Sequence, residues 1–366
     1  MATPQNDDRI ASTDVPDESK YCISSEDIKQ AAARIQGAAH YTPVLTTASI
    51  NRQSGGRNVF FKVEALQRTG SFKFRGAFNA IQSVLSQFES NQAPASLSVV
   101  THSSGNHAQA VALAAKLSST SQTTVTATIV MPENTPAVKK SAVSDFGGNI
   151  IIVANTNEAR EEKADEIAAE TGATFVHPSE DPHVIAGQGT VCLELVEQVA
   201  QQQNEPIDLV IIPVGGGGLA AGNAISLRGI LGDKVRIVLA EPAKMDDAKR
   251  SFEAGQLLQH DPGNNLDSVA DGLKTTLGPN TWPIVRDLVD DIFTVTEEDI
   301  LAATKFIWER LKVCIEPSAG VGVAVLLSDA FQAKYPADKY KNIGCVLCGG
   351  NVDVVKIAAR MQEADL

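Results

Sequence analysis

A lysine between two phenylalanines, Lys73 in the segment RTGSFKFRGAFN, is the first residue whose setting suggests chemistry. A lysine among apolar side chains is costly to desolvate while charged, so it tends to lose its proton. The neutral amine is the form that attacks a carbonyl carbon. The alternative is a surface lysine whose aliphatic stem lies along the aromatic rings, and this segment taken alone favours that alternative.

Four successive glycines, Gly215 to Gly218 in PVGGGGLAAG, stand where a buried strand gives way to a helix. Such a turn points several backbone N–H groups at one anion, and the following helix adds the positive end of its dipole. The alternative is a glycine turn without a ligand. We favour a phosphate site because four glycines weaken a fold unless something fills the turn.

A third segment, THSSGNHAQAV, also joins a strand to a helix. Ser103, Ser104, Gly105 and Asn106 would cap that helix and expose its N–H groups to a second anion, for instance a carboxylate. Either serine alone is better explained as a helix cap. The hydrolase pattern G-x-S-x-G is absent.

Short segments rich in valine and isoleucine alternate with helical patterns from Leu97 to about Ala243. Among them are LSVVTHSS, TVTATIVMP, NIIIVA, IDLVIIPV and RIVLAEPA. This alternation predicts parallel sheet covered by helices on both faces.

Composition limits the classes of partner. Lys and Arg number 31 and Asp and Glu 44, so the net charge of −13 argues against nucleic acid and anionic membrane. No apolar run reaches the ~18 residues of a membrane helix. Residues 1–18 are polar and acidic, which predicts a disordered lead and no secretory signal. Five scattered cysteines favour a reducing, cytoplasmic location, and the C-x-x-C of Cys345 and Cys348 is weak support for zinc.

The segments TGSFKFRGA, SSGNHAQ, VGGGGL and LCGGN together resemble the fold-type II enzymes that depend on pyridoxal 5′-phosphate. ADGLKTTLG, FIWERLKVCIEPSAGVGVAVLLS and CGGNVD resemble the serine racemases, within the serine/threonine dehydratase group. The resemblance extends from about Tyr21 to about Val355. It implies an α/β, tryptophan synthase β-like fold with two open, twisted, mostly parallel sheets flanked by helices. It also implies a large cofactor-binding domain, 19–94 plus 178–366, and a small domain, 95–177.

The same resemblance implies a set of cofactor-binding residues. Lys73 would hold the cofactor as a Schiff base, Asn106 would bond its ring hydroxyl, and Cys348 would meet its pyridine nitrogen. Serine racemases carry serine at the last position, which leaves the ratio of racemisation to elimination open. The full implied set is Phe72, Lys73, Asn106, Gly215, Gly216, Gly217, Gly218, Leu219 and Cys348.

The resemblance also assigns catalytic and substrate-binding residues. Lys73 would exchange a proton with the substrate Cα on one face, and Ser104 would do so on the other. Arg160 matches an arginine near the substrate opening, although it could equally form a helix pair with neighbouring glutamates. Thr275 stands where racemases carry serine. The implied substrate residues are Ser103, Ser104, Asn106, His107, Arg160, Gly272 and Thr275.

Two further ligands are implied by the resemblance. AEPAKMDDAKR matches a divalent-ion motif in which Glu241 and Asp247 supply carboxylates and Met245 a backbone carbonyl. Such hard oxygen ligands indicate Mg²⁺ or Ca²⁺, or Mn²⁺; without the resemblance, two carboxylates six residues apart are more often a solvated face. ATP would act as an activator at the interface of a homodimer. Its candidate contacts are Thr47, Arg68, Thr69, Gln109, Lys312 and Asn351.

The predicted function is a pyridoxal-phosphate-dependent serine racemase that interconverts L- and D-serine and also eliminates the β-hydroxyl to give pyruvate and ammonia. One alternative is an ammonia-lyase for L-serine, L-threonine or 3-hydroxyaspartate with little racemisation. Another is a non-catalytic protein that binds a phosphorylated ligand. The intact Lys73, Ser104 and glycine run argue against that second alternative.

Overall fold

The computed structural model describes residues 17–88, 94–202, 206–260 and 267–366. Most of the predicted disordered lead, 1–18, lies outside these ranges. Its last two residues, Asp17 and Glu18, are described: Asp17 caps a short 3₁₀ turn that begins at Glu18 and ends at Lys20.

The described part of the chain contains ten strands. They are β1 Val44–Leu45, β2 Asn58–Val63, β3 Ser96–His102, β4 Thr124–Pro132, β5 Asn149–Val153, β6 Thr174–Phe175, β7 Leu209–Pro213, β8 Arg236–Pro242, β9 Asp291–Val295 and β10 Asn342–Leu347. Six form one sheet in the order β1-β2-β10-β7-β8-β9, in which only β1 is antiparallel to its neighbour. The other four form a parallel sheet in the order β5-β4-β3-β6.

Fourteen α-helices lie in the same described ranges. They are α1 Ser25–Ile35, α2 Ala48–Gln53, α3 Lys73–Leu85, α4 Asn106–Ser118, α5 Ala137–Asp145, α6 Asn157–Thr171, α7 Pro182–Gln202, α8 Gly218–Leu231, α9 Asp247–Ala254, α10 Trp282–Leu288, α11 Glu297–Arg310, α12 Pro317–Leu327, α13 Asp329–Lys334 and α14 Val354–Glu363. None of these helices is both long enough and apolar enough to cross a bilayer.

The central strands owe their position to unbroken apolar sequence. Every residue of β7 and of β10 is buried, as expected for strands covered on both faces. The helix α12 is buried along almost its whole length and packs on this sheet. The predicted fold class, two mostly parallel sheets flanked by helices, is therefore confirmed.

The smaller sheet takes all its strands from the stretch between Ser96 and Phe175. Its hydrophobic cluster also contains Phe74 and Phe78, which belong to α3. The division of the chain into residues 95–177 and the remainder stays a prediction.

Helix α7 contacts both α3 and α8 through glycine. A Cβ added to Gly187 would lie 2.6 Å from the Cα of Gly76 on α3, and one added to Gly222 on α8 would lie 2.7 Å from the backbone nitrogen of Gly189. Backbones that approach this closely leave no room for a side chain. The helix that begins with Lys73 and the helix after the tetraglycine are thus held against one common helix.

Candidate active site

Lys73 is the first residue of α3, and its amine lies inside the molecule. The Nζ atom donates a hydrogen bond to the carbonyl of Pro178 at 2.8 Å and lies 5.2 Å from the centre of the Phe72 ring. Burial lowers the pKa of Lys73 to about 8, although the nearby Cys348 and Glu316 act against that shift. A lysine with this pKa is neutral in a substantial fraction of molecules near pH 7–8, as an attack on a carbonyl requires.

The tetraglycine forms the turn between β7 and α8, and steric crowding explains its composition. A Cβ on Gly215 would lie 2.9 Å from the Cα of Leu273, and one on Gly217, whose φ is +83°, would lie 2.6 Å from Leu277. Because α8 begins at Gly218, its first N–H groups have no acceptor within the helix. The turn therefore combines close backbone approach with free donors and the positive helix end, which suits a phosphate.

Three hydroxyl groups, those of Ser179, Thr275 and Thr281, border this turn, and only Thr275 was predicted from the sequence. A Cβ on Gly216 would lie 2.7 Å from the Oγ of Ser179 and 3.1 Å from the Oγ1 of Thr275. Thr275 belongs to the predicted substrate set, whereas Ser179 was missed because it stands in a loop without a motif. Ser179 directly follows Pro178, the residue whose carbonyl accepts from Lys73, so the lysine and the turn are neighbours.

The predicted residue Asn106 begins α4 and bonds to a glutamate that sequence reasoning missed. Its Nδ2 donates to both carboxylate oxygens of Glu316, at 3.0 and 3.1 Å. Its Oδ1 accepts from the side chain of Asn351 at 2.9 Å, and the Asn351 backbone N–H donates to Glu316 at 3.1 Å. These three residues therefore form one connected cluster at the carboxyl ends of β3 and β10.

Glu316 is 3% exposed, and its charge is poorly compensated. Burial raises the pKa of its carboxyl to about 7; the Asp271 carboxylate raises it further, and the hydrogen bond from Asn106 acts in the opposite direction. The only signal in the sequence was an acidic residue inside the apolar segment VCIEPSAG. A group that titrates near neutrality beside Lys73 and Asn106 is available to exchange protons within the site.

The predicted partner of the pyridine nitrogen, Cys348, follows β10 directly and is 3% exposed. Burial, reinforced by the Glu316 carboxyl, raises the pKa of its thiol well above the ordinary range, so the group is neutral. Its carbonyl accepts from the backbone N–H of Phe72 at 3.1 Å. The structure thereby brings Phe72, Lys73 and Cys348 together.

The serine segment between β3 and α4 forms a turn at the same edge of the smaller sheet. The backbone N–H of Ser103 donates to the carbonyl of Val130 at 3.1 Å, and its Oγ accepts from the backbone N–H of Gly105 at 3.2 Å, so Ser103 stabilises the turn that precedes α4. Ser104 lies between them, partly buried. Of the predicted capping residues, Gly105 is the N-cap of α4; a cap by the side chain of Ser103 or Ser104 is wrong, because this N-cap has no side-chain hydrogen bond. The predicted contact of Ser103 with a substrate stays a prediction.

His107 is buried in the first turn of α4 and is neutral. Its Nε2 donates to the carbonyl of Val176 at 3.0 Å, and its Nδ1 is buried without a protein partner. Burial, together with the Lys73 charge, places its pKa well below the ordinary value. An unpaired, buried acceptor beside Lys73 is a position where a ligand donor is needed.

The other two predicted substrate residues, Gly272 and Arg160, lie in different parts of the fold. The backbone N–H of Gly272 donates to Ser318 at 3.0 Å, and a Cβ on Gly272 would lie 3.5 Å from Glu316. Arg160 on α6 lies near His102, at the end of β3; burial lowers the pKa of His102, and the Arg160 charge lowers it further. Arg160 also donates to the carbonyl of Thr156 at 3.2 Å.

The predicted metal residues lie together at the end of β8. Glu241 and Asp247 are each 1% exposed, and Met245 is buried in the turn between them. Burial, followed by the Asp247 charge, raises the pKa of Glu241 well above its ordinary value. Both Glu241 oxygens also accept from backbone N–H groups at the start of α9, at 2.9 Å.

Two adjacent buried carboxyls, one of which raises the pKa of the other, suit a hard dication. His260 contacts Asp247 at 3.3 Å. Within the described ranges, no group of three or more His, Cys, Asp or Glu side chains is arranged around a metal position. A metal here would therefore depend on the two carboxylates, the Met245 carbonyl and water.

The candidate ATP contacts are only partly brought together. Asn351 donates to the carbonyl of Thr69 at 2.6 Å, and the turn that contains Arg68 packs against α4, the helix of Gln109. Lys312 is exposed at the end of α11, with a φ of +63°. Thr47 directly precedes α2, and its hydroxyl lies 3.1 Å from that of Ser49.

Comparison with known proteins identifies the family. Residues 35–349 match the family described as "Pyridoxal-phosphate dependent enzyme". The chain is also 46% identical over 341 residues to serine racemase from Rattus norvegicus, covering 93% of this chain and 96% of that protein. The chain belongs to the pyridoxal-phosphate dependent enzyme family, in its serine racemase branch. The resemblance predicted from the motifs is therefore confirmed.

Solved structures of this family agree with the fold. Maize serine racemase superposes with a TM-score of 0.83 and 42% identity, covering 94% of this chain and 98% of that one. A threonine deaminase from T.th. gives a TM-score of 0.79 and 37% identity, covering 90% and 99%. The chain is thus similar both to a racemase and to a deaminase along nearly all its length.

The residues of the site fit the family's cofactor. The cofactor needs a reactive amine, a phosphate cradle and contacts along its ring. Lys73 supplies a buried amine of lowered pKa, and Gly215 to Gly218 supply the cradle. Asn106 follows β3 of the smaller sheet and Cys348 follows β10 of the larger sheet, where they can line a ring between those two points.

Proposed function

We propose that this chain interconverts L- and D-serine and also converts serine to pyruvate and ammonia. The observation that carries the proposal is Lys73, a buried amine with a pKa of about 8 that neighbours the tetraglycine turn through Pro178 and Ser179. Family membership supports pyridoxal phosphate as the group held there.

When bound, the cofactor supplies an electron sink for the charge left on the substrate Cα. The neutral Lys73 amine removes or returns the Cα proton on one face. The Ser104 hydroxyl does the same on the opposite face, so the two groups together invert the carbon. The buried, neutral thiol of Cys348 would give the ring nitrogen of the bound cofactor a weak partner without adding a second charge to the site.

The substrate carboxylate is held by the start of α4. The side chains of Ser103, Ser104 and Asn106 and the N–H groups of Ser104 and Asn106 would face it, whereas the N–H of Ser103 is already bonded to Val130. The dipole of α4 favours the charge of the carboxylate. The unpaired Nδ1 of the neutral His107 can accept a hydrogen bond from the substrate side. Arg160, Gly272 and Thr275 complete the substrate set.

Racemisation and elimination share the first proton transfer and differ in the second step. Return of a proton on the other face gives the enantiomer, whereas loss of the β-hydroxyl leads to pyruvate and ammonia. A difference of about 1.4 kcal/mol between the two barriers changes their ratio tenfold. The thiol of Cys348 and the similarity to threonine deaminase support a large share of elimination. A lyase for serine, threonine or 3-hydroxyaspartate is the second candidate.

Mg²⁺, or Ca²⁺ or Mn²⁺, bound by Glu241, Asp247 and Met245 would stabilise the region at the end of β8 rather than take part in the chemistry. ATP bound near Arg68, Thr69 and Asn351 would act through the hydrogen bond from Asn351 to Asn106. We further propose a homodimer in the cytoplasm that acts on small amino acids.

One experiment tests the proposal directly. Purified protein loaded with pyridoxal phosphate is incubated with L-serine, with and without Mg²⁺ and ATP, and D-serine and pyruvate are measured together. Both products should form, and Lys73→Ala should abolish both. Ser104→Ala should abolish racemisation while elimination from the enantiomer that Lys73 deprotonates persists. Pyruvate without D-serine from the wild type would establish the lyase instead, and neither product would refute both.

A further inference from the structure

A buried network of four charged side chains lies directly behind Lys73. It contains Lys62, Glu64, Arg75 and Glu194. The side chains of the first three are 0% exposed, and that of Glu194 is 16% exposed. The established and proposed chemistry uses none of these residues. Because removing charged groups from water costs free energy, their burial requires a physical reason.

The guanidinium of Arg75 is bonded on both sides by carboxylates. Its Nε and Nη2 donate to Glu64, each at 2.8 Å, and its Nη1 and Nη2 donate to Glu194 at 2.6 and 2.9 Å. Lys62 donates to Glu194 at 2.6 Å, to the Thr42 carbonyl at 2.8 Å and to the side chain of Gln198 on α7 at 2.8 Å. Two positive and two negative charges therefore compensate one another.

The two carboxylates belong to different parts of the fold. Glu64 follows β2 in the large sheet, and Glu194 lies in the middle of α7. Arg75 stands two residues after Lys73, in the first turn of α3. A planar guanidinium held by two carboxylates permits little rotation. The first turn of α3 is thus fixed both along the helix axis and around it.

Backbone contacts in the same turn have the same effect. The N–H of Gly76 donates to the side chain of Gln188 on α7 at 3.1 Å, where the two helices meet through glycine. Buried ion pairs add little stability compared with apolar residues of the same volume, but they select one geometry. A reactive group must be held to within roughly 0.5 Å for efficient chemistry.

We propose that Arg75, clamped by Glu64 and Glu194, is a positioning residue that places the Lys73 amine where it bonds to the cofactor. The inference rests on the proposed role of Lys73 as the cofactor-bonding lysine. It assigns to the network a role in covalent capture of the cofactor, separate from the binding of the cofactor's phosphate by the tetraglycine.

This separation can be measured with two ligands. Pyridoxal 5′-phosphate bonds to the lysine, whereas 4′-deoxypyridoxine 5′-phosphate lacks the aldehyde and can use only the cradle and the ring contacts. Both dissociation constants are determined on the full-length apoenzyme, for the wild type and for Arg75→Lys. The substitution keeps the charge and removes the planar fork.

Arg228→Lys is the matched control. Arg228 is also buried and bonded to a carboxylate, Asp290, at 2.7 Å, but it stands ten residues after Gly218 on α8, about 15 Å along the helix. We expect Arg75→Lys to weaken the binding of pyridoxal phosphate by about tenfold to a hundredfold. The binding of the deoxy analogue should weaken by less than about twofold. Arg228→Lys should change neither by more than about twofold.

The inference would be overturned if Arg75→Lys weakened the binding of both ligands equally, or weakened the binding of neither. If Arg75→Lys does not fold, Glu194→Gln provides the same pair of measurements at the more exposed end of the network, with an expected selective loss of about threefold. A wild type that binds neither ligand, or that bonds the aldehyde at another residue, refutes the proposed function instead. The two failures are therefore distinguishable.

Discussion

The region around Arg75 and the end of β8 each bury a pair of carboxylates, and they differ in how the charge is compensated. Glu64 and Glu194 share two buried cations. Burial alone would raise the pKa of Glu64, but the Arg75 charge and hydrogen bonds lower it below its ordinary value. Asp247 contacts the partly buried His260 at 3.3 Å, and burial followed by the Asp247 charge raises the pKa of Glu241 instead.

The difference separates a completed structural element from a site that requires a ligand. A network in which every charge is compensated has no charge left to bind a ligand, so its role is to hold neighbouring groups in place. Two uncompensated carboxyls in the interior must bind protons or a cation. Glu316 belongs with the second kind, since it is buried at the candidate active site and its pKa is raised to about 7.

The largest expected effect comes from destroying the compensation around Arg75. Arg75→Met leaves Glu64 and Glu194 charged and buried, so we expect a loss of about 3–5 kcal/mol in the free energy of unfolding. Urea unfolding of the apoenzyme measures it. The control is Lys163→Met, which breaks an exposed pair with Glu166 and should cost less than about 1 kcal/mol. Equal losses for the two variants would show that the buried network contributes no more to the free energy of unfolding than an exposed ion pair does.

A pH series tests the uncompensated carboxyl of Glu316. The unfolded chain releases this proton near pH 4.5 and the folded chain near pH 7, so the folded state holds more protons between those values. The free energy of unfolding should therefore fall, by on the order of 3 kcal/mol, as the pH rises from about 4.5 to 7. Glu316→Gln should lack this contribution. A stability difference between the two apoenzymes that does not change with pH would contradict the assignment.

Divalent metal tests the pair at the end of β8. If Glu241 and Asp247 bind Mg²⁺ in the folded state only, the ion at 100 times its dissociation constant should stabilise the protein by about 2.7 kcal/mol. Thermal unfolding with Mg²⁺ or with a chelator measures the difference. Asp247→Asn should remove the dependence on metal. A wild type indifferent to Mg²⁺, Ca²⁺ and Mn²⁺ would leave the pair as a protonated structural element.

The smallest loss of stability is expected for a partly exposed ion pair that joins the region of the smaller sheet to that of the larger sheet. Lys139 on α5 contacts Asp271 at 2.9 Å, and both side chains are partly exposed, so either substitution should cost less than about 1 kcal/mol. Their influence on Glu316 differs in sign. Asp271→Asn should lower the pKa of Glu316, and Lys139→Met should raise it. The midpoint of the Glu316 pH dependence measures both, and shifts in the same direction would exclude this through-space effect.

Features that depend only on consecutive residues were predictable from the sequence. The strand TVTATIVMP spans β4 from its first residue to its last, because β-branched residues bounded by turns carry their own signal. The turn formed by the tetraglycine was predictable for the same reason, because four successive glycines are compatible with few other structures. These local patterns were enough for parallel sheet covered by helices, whereas the segment around Lys73 alone favoured a surface lysine and its role was predicted only from the family resemblance.

Features that depend on distant contacts were not predictable. Glu316 becomes part of the site only because it meets Asn106, 210 residues away in the chain. Ser179 approaches Gly216 from a loop with no motif. The carboxylates around Arg75 come from residues 64 and 194, and nothing in their local sequence distinguishes them from solvated glutamates.

The glycine crossings of α7 have a consequence for how this chain could acquire new substrates. The spacing of the lysine helix from the cradle helix is fixed by main-chain contact at Gly76 and Gly187, and again at Gly189 and Gly222. Any side chain at these positions would push the two helices apart. Divergence toward other amino acids would thus be confined to the loops at residues 103–107 and 271–275, while the reactive centre keeps its dimensions.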